Sequence, residues 1–182
     1  MVDVLVQPTS EGQSVSTLVQ TTEGIRAGHA EDVEILGALW LYQRNHHKQW
    51  DKRYATLASG QEEWKDFIKA CLDQSNHCIL VAEDWLGRVI GYIHGSFYPW
   101  PMSPNEYYGS LNTIAINPEA QGQGIGKKLV QALLDWFREE NIQHISVHVD
   151  YRNRIALRLY KKLGFQSYQY RLMIDLESSS PP

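Results

Sequence analysis

Apolar residues recur along this chain with two different periods, and the switches between them mark its elements. From Glu31 to Tyr42, Val33, Leu36, Trp40 and Leu41 fall at helical spacing behind an acidic start, which predicts a helix with one buried face. A second helix is predicted from Glu62 to Leu72 through Trp64, Phe67, Ile68 and Cys71, whereas Gln43–Gln61 has no clean period and reads as a loop with a broken helix. The period then changes. His77–Ala82 and Val89–Tyr98 are strand-like, and Glu83–Arg88 between them carries the Asp and Gly of a hairpin turn. Pro99, Pro101 and Pro104 break the next piece into an extended aromatic loop, after which Leu111–Ile116 reads as a strand. Ile125, Leu129, Leu133, Trp136 and Phe137 mark a third helix ending near Asn141, and His144–Asp150 alternates as a strand. Asn153 is placed to cap a helix through Leu163, with Gly164 just past its end, and Phe165–Leu176 supplies one or two final strands.

With Gly24–Ala27 as a first strand, the order is β-α-α-β-β-β-α-β-α-β. That is an α/β mixture: a central, twisted, mixed sheet flanked by helices, its middle strands joined by hairpins and its later ones by helical crossovers. Residues 23–177 form one domain in this reading, residues 1–22 are a polar N-terminal tail or loosely docked arm, and 178–182 are a polar C-terminal tail.

One stretch departs from ordinary helix and strand punctuation. After Leu111–Ile116 and the turn signal Asn117-Pro118, the run Gln121, Gly122, Gln123, Gly124, Ile125, Gly126 opens directly onto the third helix. A glycine-rich loop lets consecutive backbone N–H groups face one oxyanion, and the helix behind it adds its unpaired first-turn donors. Lys127 and Lys128 in that first turn oppose the helix dipole by roughly 0.3–1 kcal/mol each at exposed positions, so they suit a bound anion. The dinucleotide fingerprint fails because its third glycine would fall on Lys127. The Walker loop fails as well, since Gln121 and Lys128 occupy its first-glycine and Ser/Thr places.

The spacing Gln121-x-x-Gly124-x-Gly126 instead resembles the pyrophosphate-binding loop of the GNAT superfamily of acyl-CoA-dependent N-acyltransferases. A second stretch, Asn153-x-x-Ala156-x-x-x-Tyr160-x-x-x-Gly164-Phe165, is similar to the same family's segment after its fifth strand. The resemblance covers roughly residues 24–176 and implies acetyl-CoA as co-substrate. It implies cofactor contacts from the backbone of Ile114, Ala115 and Ile116 on a strand splayed at a bulge, from the Gln121–Lys127 loop, and from Asn153 to the pantetheine arm. It also implies a catalytic Tyr160 facing the thioester sulfur. From the residues alone, Tyr160 reads first as a core tyrosine at helical spacing with Ala156 and Leu163, its hydroxyl at the rim, and Asn153 equally as a helix cap. In relatives that acetylate protein N-termini the base is a Glu five residues before the Asn; here that position is His148, with Asp150 on its strand face and Glu106, Glu83 or a water chain as competitors. The implied function is transfer of an acetyl group to a primary amine by direct attack in a ternary complex. The alternatives are a non-catalytic acyl-CoA-binding sensor and transfer of a longer acyl chain. The acceptor, a small-molecule or peptide amine, stays open, and a homodimer is common in the family.

Composition narrows the remaining classes. The chain has 182 residues, 43% apolar and 21% charged, enough for one domain with a sizeable core. A net charge of −4 without a basic run excludes a nucleic-acid footprint, and no 18-residue apolar stretch predicts a membrane span. The N-terminal segment lacks a signal peptide's charged and apolar regions, so a cytoplasmic protein is expected. Cys71 and Cys78 read as buried thiols, and His46-His47, Cys71, His77 and Cys78 lack metal-finger spacing, so no metal site is expected.

Overall fold

A computed structural model describes residues 24–100 and 106–174. The two predicted tails, residues 101–105 of the proline-broken loop and the end of the last predicted strand lie outside the described residues.

Five strands form one sheet in the order β1 (Ile25–Ala27), β2 (His77–Glu83), β3 (Val89–Pro99), β4 (Tyr107–Ile116), β5 (His144–Val147). The first four are antiparallel neighbours, and β5 joins β4 in parallel. A parallel neighbour requires a crossover, here α3 (Ile125–Glu139). α1 (Val33–Lys48) and α2 (Gly60–Leu72) come between β1 and β2, and α4 (Arg154–Lys162) follows β5.

The alternation of β2 shows how the layers are built. Ile79 and Val81 join Tyr92 and Ala115 in a core under α1 and α2. Cys78, Leu80 and Ala82 point the other way and join Ile93, Leu111, Leu129, Leu133 and Phe137 in a core under α3 and α4. A strand buried on both faces is apolar at successive positions, as the Cys78–Ala82 run CILVA is.

Four expectations need correction. α1 runs six residues past the expected end at Tyr42, through QRNHHK to Lys48. That polar turn is held by contacts rather than by periodicity: Tyr42 stacks on His46, His47 on Trp50, and the Arg44 guanidinium lies over Trp40 and Tyr54. β4 begins at Tyr107, because Tyr107–Ser110 pair with Pro99–Ser96 across the sheet. β5 stops at Val147, three residues early, for a reason that belongs to the site. No strand forms in the described residues after Phe165. Tyr168, Tyr170 and Leu172 are 86–93% exposed, so neither a ladder nor apolar burial offsets the entropy of extending them.

Candidate active site

β4 carries the defect around which the site is built. Its register against β3 shifts between His94 and Gly95, because His94 pairs with Thr113 while Gly95 pairs with Leu111, leaving Asn112 as the extra residue of a bulge. The β4–β5 ladder runs from Tyr108–His144 to Leu111–Val147 and ends at that bulge. β5 therefore loses its partner, and among the described residues β4 continues without a strand on that side from Asn112 to Ile116.

The backbone of this stretch faces a gap. Asn117 N–H donates to Ile90 C=O at 2.8 Å, so Asn117 and Ala115 turn toward β3, and by alternation Ile114 and Ile116 turn toward the side β5 has vacated. Two glutamines occupy part of it: Gln43 Nε2 donates to Ile114 C=O at 2.6 Å and Gln121 Nε2 to Ile116 C=O at 3.2 Å. The N–H groups of Ile114 and Ile116 point into the same gap. Gln43 lies one residue past the helix end that the apolar period predicts, so the period alone does not point to it.

The glycine loop lies at the end of this stretch. Asn117 caps the short Pro118–Ala120 turn by accepting from Glu119 N–H at 3.0 Å. Gly122 (φ +79°) and Gly124 (φ +82°) are left-handed, a region that costs other residues about 1–2 kcal/mol, and a Cβ on either would meet nothing within 4 Å. Gly126 is there for a different reason: its Cβ would stand 3.1 Å from Ile116 Cδ1 and 3.5 Å from Leu159 Cδ2, so its absence lets α3 sit close to β4. Lys127 and Lys128 N–H both return to Gly124 C=O. The N–H groups of Gly122, Gln123, Gly124, Ile125 and Gly126 donate to no partner among the described residues. Five successive free donors at a helix N-terminus, with the exposed Lys127 and Lys128 behind them in no ion pair among the described residues, are what an anion cradle requires.

α4 supplies the next residues. Asn153 caps it, its Oδ1 accepting from Ala156 N–H at 3.1 Å, which leaves its amide nitrogen for another partner. Tyr160, 5% exposed, is in the α3–α4 core with its ring against Phe165, and its hydroxyl has no hydrogen-bond partner among the described residues. Burial pushes this phenol up to about 12.

The proton-accepting side looks different from the sequence expectation. His148 is exposed, one residue past the end of β5. Asp150 does not assist it. Its carboxylate accepts from Arg152 Nε at 2.9 Å and Nη2 at 2.7 Å, and hydrogen bonding to Arg152 holds it below the usual carboxylate range. Arg152 also donates to Trp50 C=O, tying the segment after β5 to the end of α1. His47 on that helix end is held below the ordinary histidine value by burial first and then by His46, with Asp150 acting in the opposite direction. Beside this junction, Trp50, Asp51, Tyr151, Arg152, Met173 and Ile174 line an open cleft of about 540 Å³. Of the other candidate bases, Glu83 is paired with Arg26 at 2.7 Å. Glu106 precedes the far end of β4, roughly 25 Å from Ile114 by strand geometry.

Comparison with known proteins bears on the family and the fold. Residues 35–165, well over half of the chain, match the sequence model of the Acetyltransferase (GNAT) family. The mycothiol acetyltransferase of Thermomonospora curvata is 34% identical over 96 residues, 53% of this chain and 29% of that protein. The chain spans about a third of the length of the curated relatives it matches. A predicted acetyltransferase from Clostridium acetobutylicum, solved with acetyl-CoA, has a TM-score of 0.67 at 20% identity over 85% of this chain and 97% of that one. An aminoglycoside antibiotic 6'-N-acetyltransferase from Acinetobacter baumannii has a TM-score of 0.62 at 16% identity over 83% and 95%. These two likenesses concern the fold.

Proposed function

The chain belongs to the acetyltransferase (GNAT) family, and from that premise we propose that it transfers an acetyl group from acetyl-CoA to a primary amine by direct attack in a ternary complex. The observation that carries this reading is the row of five free N–H donors at 122–126, set beside a strand whose Ile114 and Ile116 N–H groups face the side that β5 leaves. The cradle suits the CoA pyrophosphate and the gap suits its pantetheine amides. Lys127 and the free amide of Asn153 complete the cofactor contacts. An N–H of β4 polarises the thioester carbonyl.

In the reaction, the amine nitrogen bonds to the acetyl carbon, its proton passes to a base, and the C–S bond breaks to release a thiolate. His148 is the proposed base, directly or through water. Tyr160 acts on the leaving group. Burial holds the phenol near 12, above a reference thiol of roughly 8.5, so the hydroxyl keeps its proton as the thiolate departs. The hydroxyl therefore stabilises the departing sulfur by hydrogen bonding, and solvent protonates it after release. An acyl-enzyme is not needed: Cys71 and Cys78 are buried, and burial raises both thiols, away from the thiolate a nucleophile requires.

The acceptor belongs at the cleft between the end of α1 and the segment after β5, where Trp50 and Tyr151 supply aromatic surface and the Asp51 carboxylate is already paired with Arg53. Acetyl-CoA-dependent thiol release measured across a panel of polyamines, amino acids, aminoglycosides and peptides tests the proposal. Release with at least one amine, together with the matching acetylated product, is expected. A folded protein that binds CoA but acetylates none of them would favour the sensor reading, and one that binds no CoA would refute both.

A further inference from the structure

On the face of the sheet under α2, away from the anion cradle, the fold brings together three residues that the sequence keeps apart. Cys71 is in the last turn of α2, His77 opens β2, and His94 lies on β3 diagonally across the ladder, since His77 pairs with Ser96 and Ile79 with His94. All three are 1–6% exposed. One ligand atom from each lies within 4.8 Å of the other two.

The inner geometry is that of a closed donor set. His77 Nδ1 and His94 Nε2 are 2.9 Å apart, with the rings stacked 5.2 Å centroid to centroid. On the far side of His77, Nε2 stands 3.1 Å from the Tyr98 hydroxyl. With a proton on Nε2 that donates to this oxygen, Nδ1 is left as a lone pair aimed into the cluster, the outer-sphere arrangement that sets a ligand histidine's tautomer. Phe67 covers both imidazoles with its ring edge-on, 6.0–6.4 Å away. No carboxylate takes part.

We propose that Cys71, His77 and His94 bind a thiophilic divalent cation, Zn(II) foremost, at a site separate from the acyl-transfer centre. Two imidazoles and one thiolate are a zinc donor set, and three protein ligands leave a fourth position for water. A tetrahedral site with Zn–N near 2.0–2.1 Å separates its nitrogens by roughly 3.3–3.4 Å, so the two rings need to part by only about 0.5 Å. Binding releases one proton, from the Cys71 thiol. The proton that His77 Nδ1 shares with His94 Nε2 before binding moves to His77 Nε2, where Tyr98 accepts it, so both facing nitrogens offer lone pairs. The cation would then join the end of α2 to the β2–β3 hairpin. No finger spacing announces the site, because hairpin pairing alone brings His94 to His77.

The test uses the full chain, stripped with chelator and titrated with Co(II) as a spectroscopic probe. One equivalent should bind with a thiolate-to-cobalt charge-transfer band and strong tetrahedral d–d bands, and Zn(II) should displace it and raise the melting temperature. Cys71→Ser should lose the charge-transfer band, while Cys78→Ser, which alters the thiol on the opposite face, should keep it. Tyr98→Phe should weaken affinity about 10- to 100-fold without changing stoichiometry. Binding without a charge-transfer band would place the metal elsewhere, for example at the exposed His46–His47 end of α1, and would overturn the proposal. So would a folded, stripped wild type that binds no Co(II), a result that does not depend on any variant folding.

Discussion

Replacing Gly124 with alanine separates backbone strain from ligand binding. Gly124 is the N-cap of α3 at φ +82° with open space where its Cβ would stand. Alanine there costs about 1–2 kcal/mol for the left-handed conformation, offset by about 0.4–1 kcal/mol from the stiffer unfolded chain. The net loss is about 0–1.5 kcal/mol, or up to roughly 6 °C in melting temperature for a chain of this size. Gly87 provides the control, because in the β2–β3 turn it has φ +75° and equally open surroundings, so Gly87→Ala should cost the same. Binding should distinguish them. The methyl group of Gly124→Ala stands beside the free donors of the cradle, and displacing a phosphate from one charge-assisted hydrogen bond costs about 1.5–3 kcal/mol, roughly a 10- to 150-fold loss in CoA affinity. Melting curves and calorimetric titration with CoA provide both numbers. Equal CoA affinity in the two variants, with equal losses of stability, would refute the assignment of the pyrophosphate to this loop.

Three further outcomes follow from the same geometry. Tyr160→Phe should lower kcat about 10- to 150-fold with little change in CoA affinity, and any alkaline limb that depends on the hydroxyl should lie near 12 rather than 10, because burial keeps the phenol protonated; full turnover with chemistry rate-limiting would make Tyr160 a packing residue only. His148→Ala should slow transfer and His47→Ala should not; if instead only His47→Ala removes an acid limb lying below the ordinary histidine value, the base is on α1. Burial alone would raise the Asp32 carboxyl, but bonds from Arg26 and from the His29 N–H at 2.8 Å outweigh it and hold it low. Its contribution is therefore present above about pH 4 and lost as pH falls through the depressed value, so Asp32→Ala should cost about 1–3 kcal/mol at neutral pH and less in acid, as urea unfolding would show.

The sequence exposed those parts of the site that depend on backbone chemistry. Glycines where φ must be positive, an asparagine that caps α4 and a tyrosine two turns into that helix are written in residue types, and the structure puts each at its expected place in the fold. Parts that depend on pairing were not legible. The bulge at Asn112 has no residue signature, yet it ends β5 at Val147 and leaves His148 beyond the sheet. Gln43 and His47 fall in a polar helical turn kept in place by aromatic contacts, so a reading based on apolar periods stopped short of both. Gly126 was legible as a glycine but not as a packing contact, since only the approach of Ile116 and Leu159 gives it that role. The alternation after Phe165 has a strand's pattern without a strand's partner, and in the described residues it stays unpaired.

The most direct test of the anion cradle is amide NMR on a CoA titration of the isotope-labelled chain. The largest shifts should fall on the N–H signals of Gly122 to Gly126, with a second set on Ile114 and Ile116, and dephosphorylated pantetheine should reproduce only the second. Shifts concentrated elsewhere, with the 122–126 signals unmoved at saturating CoA, would contradict the account.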